Sequence, residues 1–105
     1  MKRKIKFRTW DIKRHTMFDP FAQTHSQDYF DDPNYEVMQF TGLHDNNGVD
    51  VFEGDIITSD NKIGGVVVWD EKELKFWAGE HEIYRMVNPR VIGNIYETTD
   101  LIKKI

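Results

Sequence analysis

Ile56-Ile57-Thr58-Ser59-Asp60-Asn61-Lys62-Ile63-Gly64-Gly65-Val66-Val67-Val68-Trp69 reads as strand, turn, strand, and this stretch sets the class of the whole chain. The β-branched run Val66-Val67-Val68 is its strongest signal, because such side chains lose rotamer freedom in a helix and pack well on a pleated surface. Ser59, Asp60 and Asn61 turn the chain, since their short polar side chains bond the nearby backbone and Asp and Asn tolerate positive φ. Gly64-Gly65 is a lone pair entering a strand and lacks the remainder of a phosphate-cradling loop.

The same alternation continues outward. Val51 and Phe52 precede the stretch in extended form, and Glu53-Gly54-Asp55 interrupts them with a bend or bulge. Val37-Met38-Gln39-Phe40 forms an earlier strand, followed by a tight turn at Asp45-Asn46-Asn47-Gly48. Downstream, Asp70-Glu71-Lys72-Glu73 is a polar turn into alternating Leu74-Lys75-Phe76-Trp77. Ile83-Tyr84 then makes a short strand, and Val91-Ile92 to Ile95-Tyr96 the last. Near the start, Ile5 and Phe7 alternate with Lys4, Lys6 and Arg8, a strand with one wet face. The apolar body resumes at Met17 and Phe18, so Lys13 and Arg14 fall in a hairpin loop. Asp19 to Asn34 is irregular and longer than ordinary connections, which points to a functional or mobile segment. After Glu97, Thr98 or Thr99 caps a short terminal helix with Asp100 in its first turn, where the helix dipole favours a carboxylate. The expected fold is mainly β: strongly bent or bifurcated antiparallel sheets forming a small partial barrel, with one short C-terminal helix.

The 105 residues fit one ordinary domain, 1–105, and 39 % hydrophobic with 13 % aromatic residues suffices for a modest core. The chain has no cysteine, which removes disulfides, thiolate chemistry and cysteine-rich zinc sites and points to the cytoplasm. Its apolar runs are far shorter than the ~20 residues that span a bilayer, and Met1-Lys2-Arg3-Lys4 is not followed by a signal-peptide core. No membrane association is expected. Fourteen basic residues against eighteen acidic leave a net charge of −4, a poor basis for sequence-independent phosphate binding. The first fourteen residues are the exception, with seven Lys or Arg opposed only by Asp11.

Four stretches together resemble the YopX family of phage and prophage proteins. They are Ile5-Lys6-Phe7-Arg8-Thr9-Trp10-Asp11, Met38-Gln39-Phe40-Thr41-Gly42-Leu43 with Asp45 and Gly48, Phe52-Glu53-Gly54-Asp55-Ile56-Ile57, and Ile92-Gly93-Asn94-Ile95-Tyr96-Glu97. Thr9 stands where the family often has Ala, and Thr99 where a Pro often opens the last helix. The resemblance implies a β-rich fold of coiled or bifurcated sheets and a phage or prophage setting. It implies no activity.

The residues themselves name no reaction. His15, His25, His44 and His81 are scattered, and acids such as Asp45, Asp50, Glu53 and Asp55 are accounted for by turns before a two-metal site is invoked. No Gly-x-Ser-x-Gly elbow is present, and no cofactor is called for. The leading reading is a non-enzymatic accessory protein that binds an unidentified host or phage protein, with a homo-oligomer as a further state. Its expected contact surface is the aromatic set Phe21, Tyr29, Phe30 and Tyr35 beside acidic neighbours. The alternative is a single-strand nucleic-acid binder using Lys4, Lys6, Arg8 and Trp10, which alternation places on one strand face. A divalent-metal-dependent hydrolase comes third.

Overall fold

The computed structural model describes residues 5–19 and 27–104. Its strands form two antiparallel sheets joined by a single bend. β1 (Phe7–Asp11) and β2 (Thr16–Phe18) make the first hairpin; β3 (Tyr35–His44) and β4 (Asp50–Phe52) follow, in the order β2-β1-β3-β4. The second sheet holds β5 (Asp55–Ser59), β6 (Lys62–Asp70), β7 (Lys75–Ala78), β8 (His81–Glu82) and β9 (Arg90–Asn94), in the order β8-β7-β6-β5-β9. The first sheet curls into a half-barrel, so the bent, mainly β architecture read from the sequence is the observed one.

Turn chemistry fixes the registers. Asp11 opens the first hairpin loop by accepting bonds from the Lys13 and Arg14 amides at 3.1 and 3.0 Å. In the β5–β6 hairpin Ser59 faces Lys62, and both intervening residues, Asp60 and Asn61, have positive φ. Two such residues give the turn whose twist matches that of paired strands. Ile57 faces Gly65 while Thr58 faces Ile63, so Gly64 is an extra residue that bulges β6. Gly65 then takes a φ of +139°, and a Cβ there would strike the Gly79 backbone. Only a residue without a side chain lets β6 pass that close to the end of β7.

The chain passes between sheets at Glu53-Gly54, where the Gly54 amide bonds the Val67 carbonyl and the Gly54 carbonyl accepts the Ile95 amide. The core lies beyond this bend: Val51, Ile57, Val67, Phe76, Ala78, Ile83 and Met86 pack together, with Leu43 and Val91 against them. A second tie comes from Asp45 in the β3–β4 turn. Its Oδ1 accepts from the Asn47 and Val49 amides, while its Oδ2 reaches across to the Val91 amide of β9 at 2.9 Å.

Three expectations change. The terminal segment Thr99–Lys104 is a 3₁₀ turn. Thr98 does not cap it as a helix start, because its hydroxyl accepts the Asn94 amide and its carbonyl takes Leu101 in a three-residue step. Ile83 and Tyr84 lie in another 3₁₀ turn, Ile83–Arg85, which drives Ile83 into the core and leaves Tyr84 exposed. Among its described residues, the irregular segment contains one helical turn, α1 (Gln27–Phe30).

Burial pulls the Asp45 carboxyl upward, but its three backbone donors outweigh that, and with Arg90 they hold the group below its ordinary value. A carboxylate lowered on folding supports the fold above its unfolded pKa and withdraws that support as pH falls through the folded one. Asp45→Asn is therefore expected to lose about 2 kcal/mol near neutrality. It should also show a shallower fall in stability below about pH 4, measured by urea unfolding at neutral and acid pH.

Candidate functional site

Alternation along β1 does put Lys6, Arg8 and Trp10 on a common side, and that side faces the rest of the fold. The Arg8 guanidinium bonds Asp55 Oδ1 at 2.7 Å and the Glu53 carbonyl at 3.2 Å, and lies over the Phe52 ring. Its side chain is 16 % exposed and that of Asp55 1 %. Asp55 Oδ2 accepts the Phe52 amide as well. Burial pushes the Asp55 carboxyl up from its ordinary value, against the pull of Arg8 and the Phe52 amide. Lys6 pairs with Asp50, which also meets His44 Nε2 at 2.9 Å. Trp10 is buried and stacks on Tyr96, with centroids 5.4 Å apart. Lys4 lies outside the described residues.

Two of the aromatic set, Tyr29 and Tyr35, turn inward. Tyr29 meets Tyr35 edge-on at 4.8 Å and Phe18 at 5.5 Å, and Phe18 meets Tyr35 at 6.0 Å. This triad fastens α1 to β2 and β3. Phe30, half exposed, has its edge contact with Phe7. Phe21 lies outside the described residues. The four acids close together in sequence do not converge either: Asp45 holds a turn, Asp50 pairs with Lys6, Glu53 accepts the Gln39 amide, and Asp55 takes Arg8. Among the described residues no three His, Asp or Glu side chains are grouped to hold a metal.

What sequence reasoning missed is an apolar cleft where the two sheets splay beyond the bend. Its inner end is a cavity of about 150 Å³ walled by Leu43, Val51, Ile83, Tyr84 and Met86. Past Leu43 and Tyr84 it opens into a shallower groove of about 360 Å³ flanked by Trp69, Leu74 and Phe76. Leu74 is 71 % exposed, Tyr84 56 % and Trp69 41 %. Three large apolar side chains rimming one concavity are unlike the scattered exposed apolars of an ordinary surface. Leu74 also has a φ of +56°, a conformation costing a residue with a Cβ roughly 1–2 kcal/mol. Asp70 holds it there: its carbonyl accepts the Leu74 amide, and its carboxylate accepts the Lys72 and Glu73 amides. The sequence signal was present in Leu74 itself, an apolar residue directly after a four-residue polar turn, but alternation assigned it to the next strand.

The profile of the YopX protein family matches residues 6–103. The chain belongs to the YopX family. These are phage and prophage proteins. A crystal structure of protein EF1440 from Enterococcus faecalis has a similar fold, with a TM-score of 0.66, 23 % identity, and coverage of 96 % of this chain and 99 % of that one. A search of curated proteins finds no match. Among the described residues no helix is long and apolar enough to cross a membrane.

The four YopX-like stretches meet at the joint between the sheets. Arg8 and Trp10 come from the first, Met38 from the second, Gly54 and Asp55 from the third, Ile95 and Tyr96 from the fourth. A Cβ on Gly54 would sit 3.2 Å from Met38 Sδ and 3.6 Å from Ile95 Cγ1. Trp69, Leu74 and Tyr84 belong to none of these stretches. In this YopX chain the motifs build the frame, and the exposed apolar rim is carried by the segments between them. Arg8→Ala, which strands a buried carboxylate, is expected to lower stability by about 3–5 kcal/mol. Lys6→Ala, at a partly exposed pair, should cost about 1 kcal/mol or less; chemical denaturation of both variants checks the contrast.

Proposed function

We propose that this YopX-family protein is a non-enzymatic accessory factor of a phage or prophage, acting in the bacterial cytoplasm by binding another protein. The observation that carries the reading is the exposure of Trp69, Leu74 and Tyr84 around a ready-made apolar cleft. A buried aromatic anchor in a concave apolar site is the pattern of an interaction hot spot. Asp70, Glu71 and Glu73 stand beside this rim on the β6–β7 turn; the nearby opposing charges are Lys72 and Lys75, and Lys75, which lines the groove, is paired with Glu82 and Glu73. The partner surface that complements it presents an apolar side chain flanked by Lys or Arg. Nucleic acid fits this surface poorly, and on β1 Lys6 and Arg8 already have acidic partners within the fold.

The test is capture of partners from phage host lysate by the tagged protein, with and without nuclease, followed by affinity measurement on the purified pair. Trp69→Ala combined with Leu74→Ala is expected to weaken a nuclease-resistant partner by about thirtyfold or more without lowering the thermal transition. Phe30→Ala serves as the comparison. Loss of binding there, with the Trp69 and Leu74 variant intact, would move the contact surface to the aromatic segment. Partners that vanish with nuclease would overturn the protein-binding reading.

A further inference from the structure

Both sheets leave a strand edge open on the same side of the bend. In β3 the Phe40 amide bonds the Lys6 carbonyl, and Arg8 faces Met38 and Trp10 faces Glu36. Antiparallel pairing alternates, so the even-numbered residues of β3 bond β1 while the odd-numbered ones point the other way. Gln39 follows this rule, its carbonyl accepting the Glu53 amide and its own amide bonding the Glu53 carboxylate. The next outward residue is Val37, and by then the chain has turned away at Gly54 into the second sheet. Pairing of β3 with β4 runs between Phe40 and His44, so among the described residues no strand lies opposite Val37.

β6 mirrors this. It pairs with β5 only as far as Val66, and with β7 from Val67 to Asp70. The Val67 carbonyl points away from β7, to the Gly54 amide. By the same alternation, the N–H and C=O of Trp69 point away from β7 too, and no described strand lies beyond them. Between these edges runs a groove of about 320 Å³ with Val37 on one wall, Val68 and Trp69 on the other, and Gly54 and Tyr96 at its base. Among the described residues, Glu36 and Glu53 are its only charged lining residues. Glu53 is held by the Gln39 amide, and Glu36 is exposed on β3.

We propose that this groove is a strand-acceptor site: a short extended segment of a partner protein, with Lys or Arg alternating with apolar residues, inserts between β3 and β6. It forms backbone hydrogen bonds to Val37 on one side and Trp69 on the other. Edge addition draws its affinity from main-chain bonds and its selectivity from alternate side chains. Here the side chains on one face meet Val68 and Tyr96, and a cation meets Glu36. An open edge flanked by acids and lacking Lys selects against acidic strands and against phosphate. Trp69 links this site to the apolar cleft, since its backbone borders the groove and its ring, packed on Phe76 at 4.9 Å, borders the cleft. The inference rests on the protein-binding reading and names the form of the partner.

The probe is a displayed library of random octapeptides selected on the intact protein, the best binder then being synthesised and titrated by fluorescence polarisation. The expected selection is alternating apolar and Lys or Arg residues. N-methylation of alternate peptide amides should weaken binding by about tenfold or more. Val37→Pro removes an outward N–H that β1 does not use, and should do the same. Glu36→Lys should turn the preference toward Asp or Glu. Where Val37→Pro melts below the native protein, the N-methylated peptides on the native chain decide the matter. Peptides whose binding changes by less than about twofold on N-methylation would overturn strand insertion, as would failure to enrich any sequence. Either result, alongside a captured protein that still depends on Trp69 and Leu74, sinks the strand-acceptor site while leaving the protein-binding reading standing. Self-association that the selected peptide competes away would make a second copy the occupant and overturn the choice of a foreign partner.

Discussion

The ion pair between Arg8 and Asp55 joins the two sheets at the point where the chain crosses from one to the other. Asp55 is the first residue of β5 and closes the bend by accepting the Phe52 amide. Arg8 is the second residue of β1 and bonds both Asp55 and the Glu53 carbonyl. Taking a carboxylate this far from water is unfavourable, which is why its proton is held more tightly than in an exposed Asp. The pair therefore adds little net stability compared with an apolar contact of the same size; what it does is tie β1 to the first residue of β5. With β1 anchored to β5, the sheets diverge on either side of the bend. The apolar cleft and the open edges are what the divergence leaves.

Much of this frame was legible in sequence because turns are local. Asp60 and Asn61, and Asp45 to Gly48, declare themselves through residues that accept positive φ or bond the adjacent backbone. The alternation in β1 groups Arg8 with Trp10, but the wet face expected of this strand is absent: Phe7 and Arg8 are half-buried, and Thr9, Trp10 and Asp11 are buried. What it could not reveal is that the basic face meets acids 44 and 47 positions away rather than water, because Asp50 and Asp55 enter through tertiary folding. The terminal helix failed for a local reason: the Thr98 hydroxyl had a better use at Asn94 than at a helix start. The cleft was hidden for a geometric one. Trp69 and Phe76 share one face of the β6–β7 hairpin, and periodicity treats both as core. Only the splay of the sheets buries Phe76 and leaves Trp69 partly exposed.

Frame and exposed apolar rim are thus separate in this chain. The stretches that mark it as a YopX protein converge on the joint, where Trp10 stacks on Tyr96 and a Cβ on Gly54 would press on Met38 Sδ. Of the exposed apolar side chains, Trp69 lies near the end of β6, while Leu74 and Tyr84 sit on the β6–β7 turn and the 3₁₀ turn after β8, places where a fold tolerates substitution. Membership of the family accordingly specifies how the sheets meet and leaves the partner open.

The bend at Gly54 has a further consequence, for the order in which the molecule is built. β5 can pair with β6 as soon as both exist, across a two-residue turn, a local event on the microsecond scale. The joint instead brings together Arg8 with Asp55, 47 positions away, and Asp45 with Val91, 46 positions away. Closing loops of that length must precede any gain from the contacts they enable, which makes them late steps in folding. A newly made chain therefore holds its β5–β6 hairpin before its two sheets are locked together, and during that interval the unpaired margins of β3 and β6 are at their most accessible to another polypeptide.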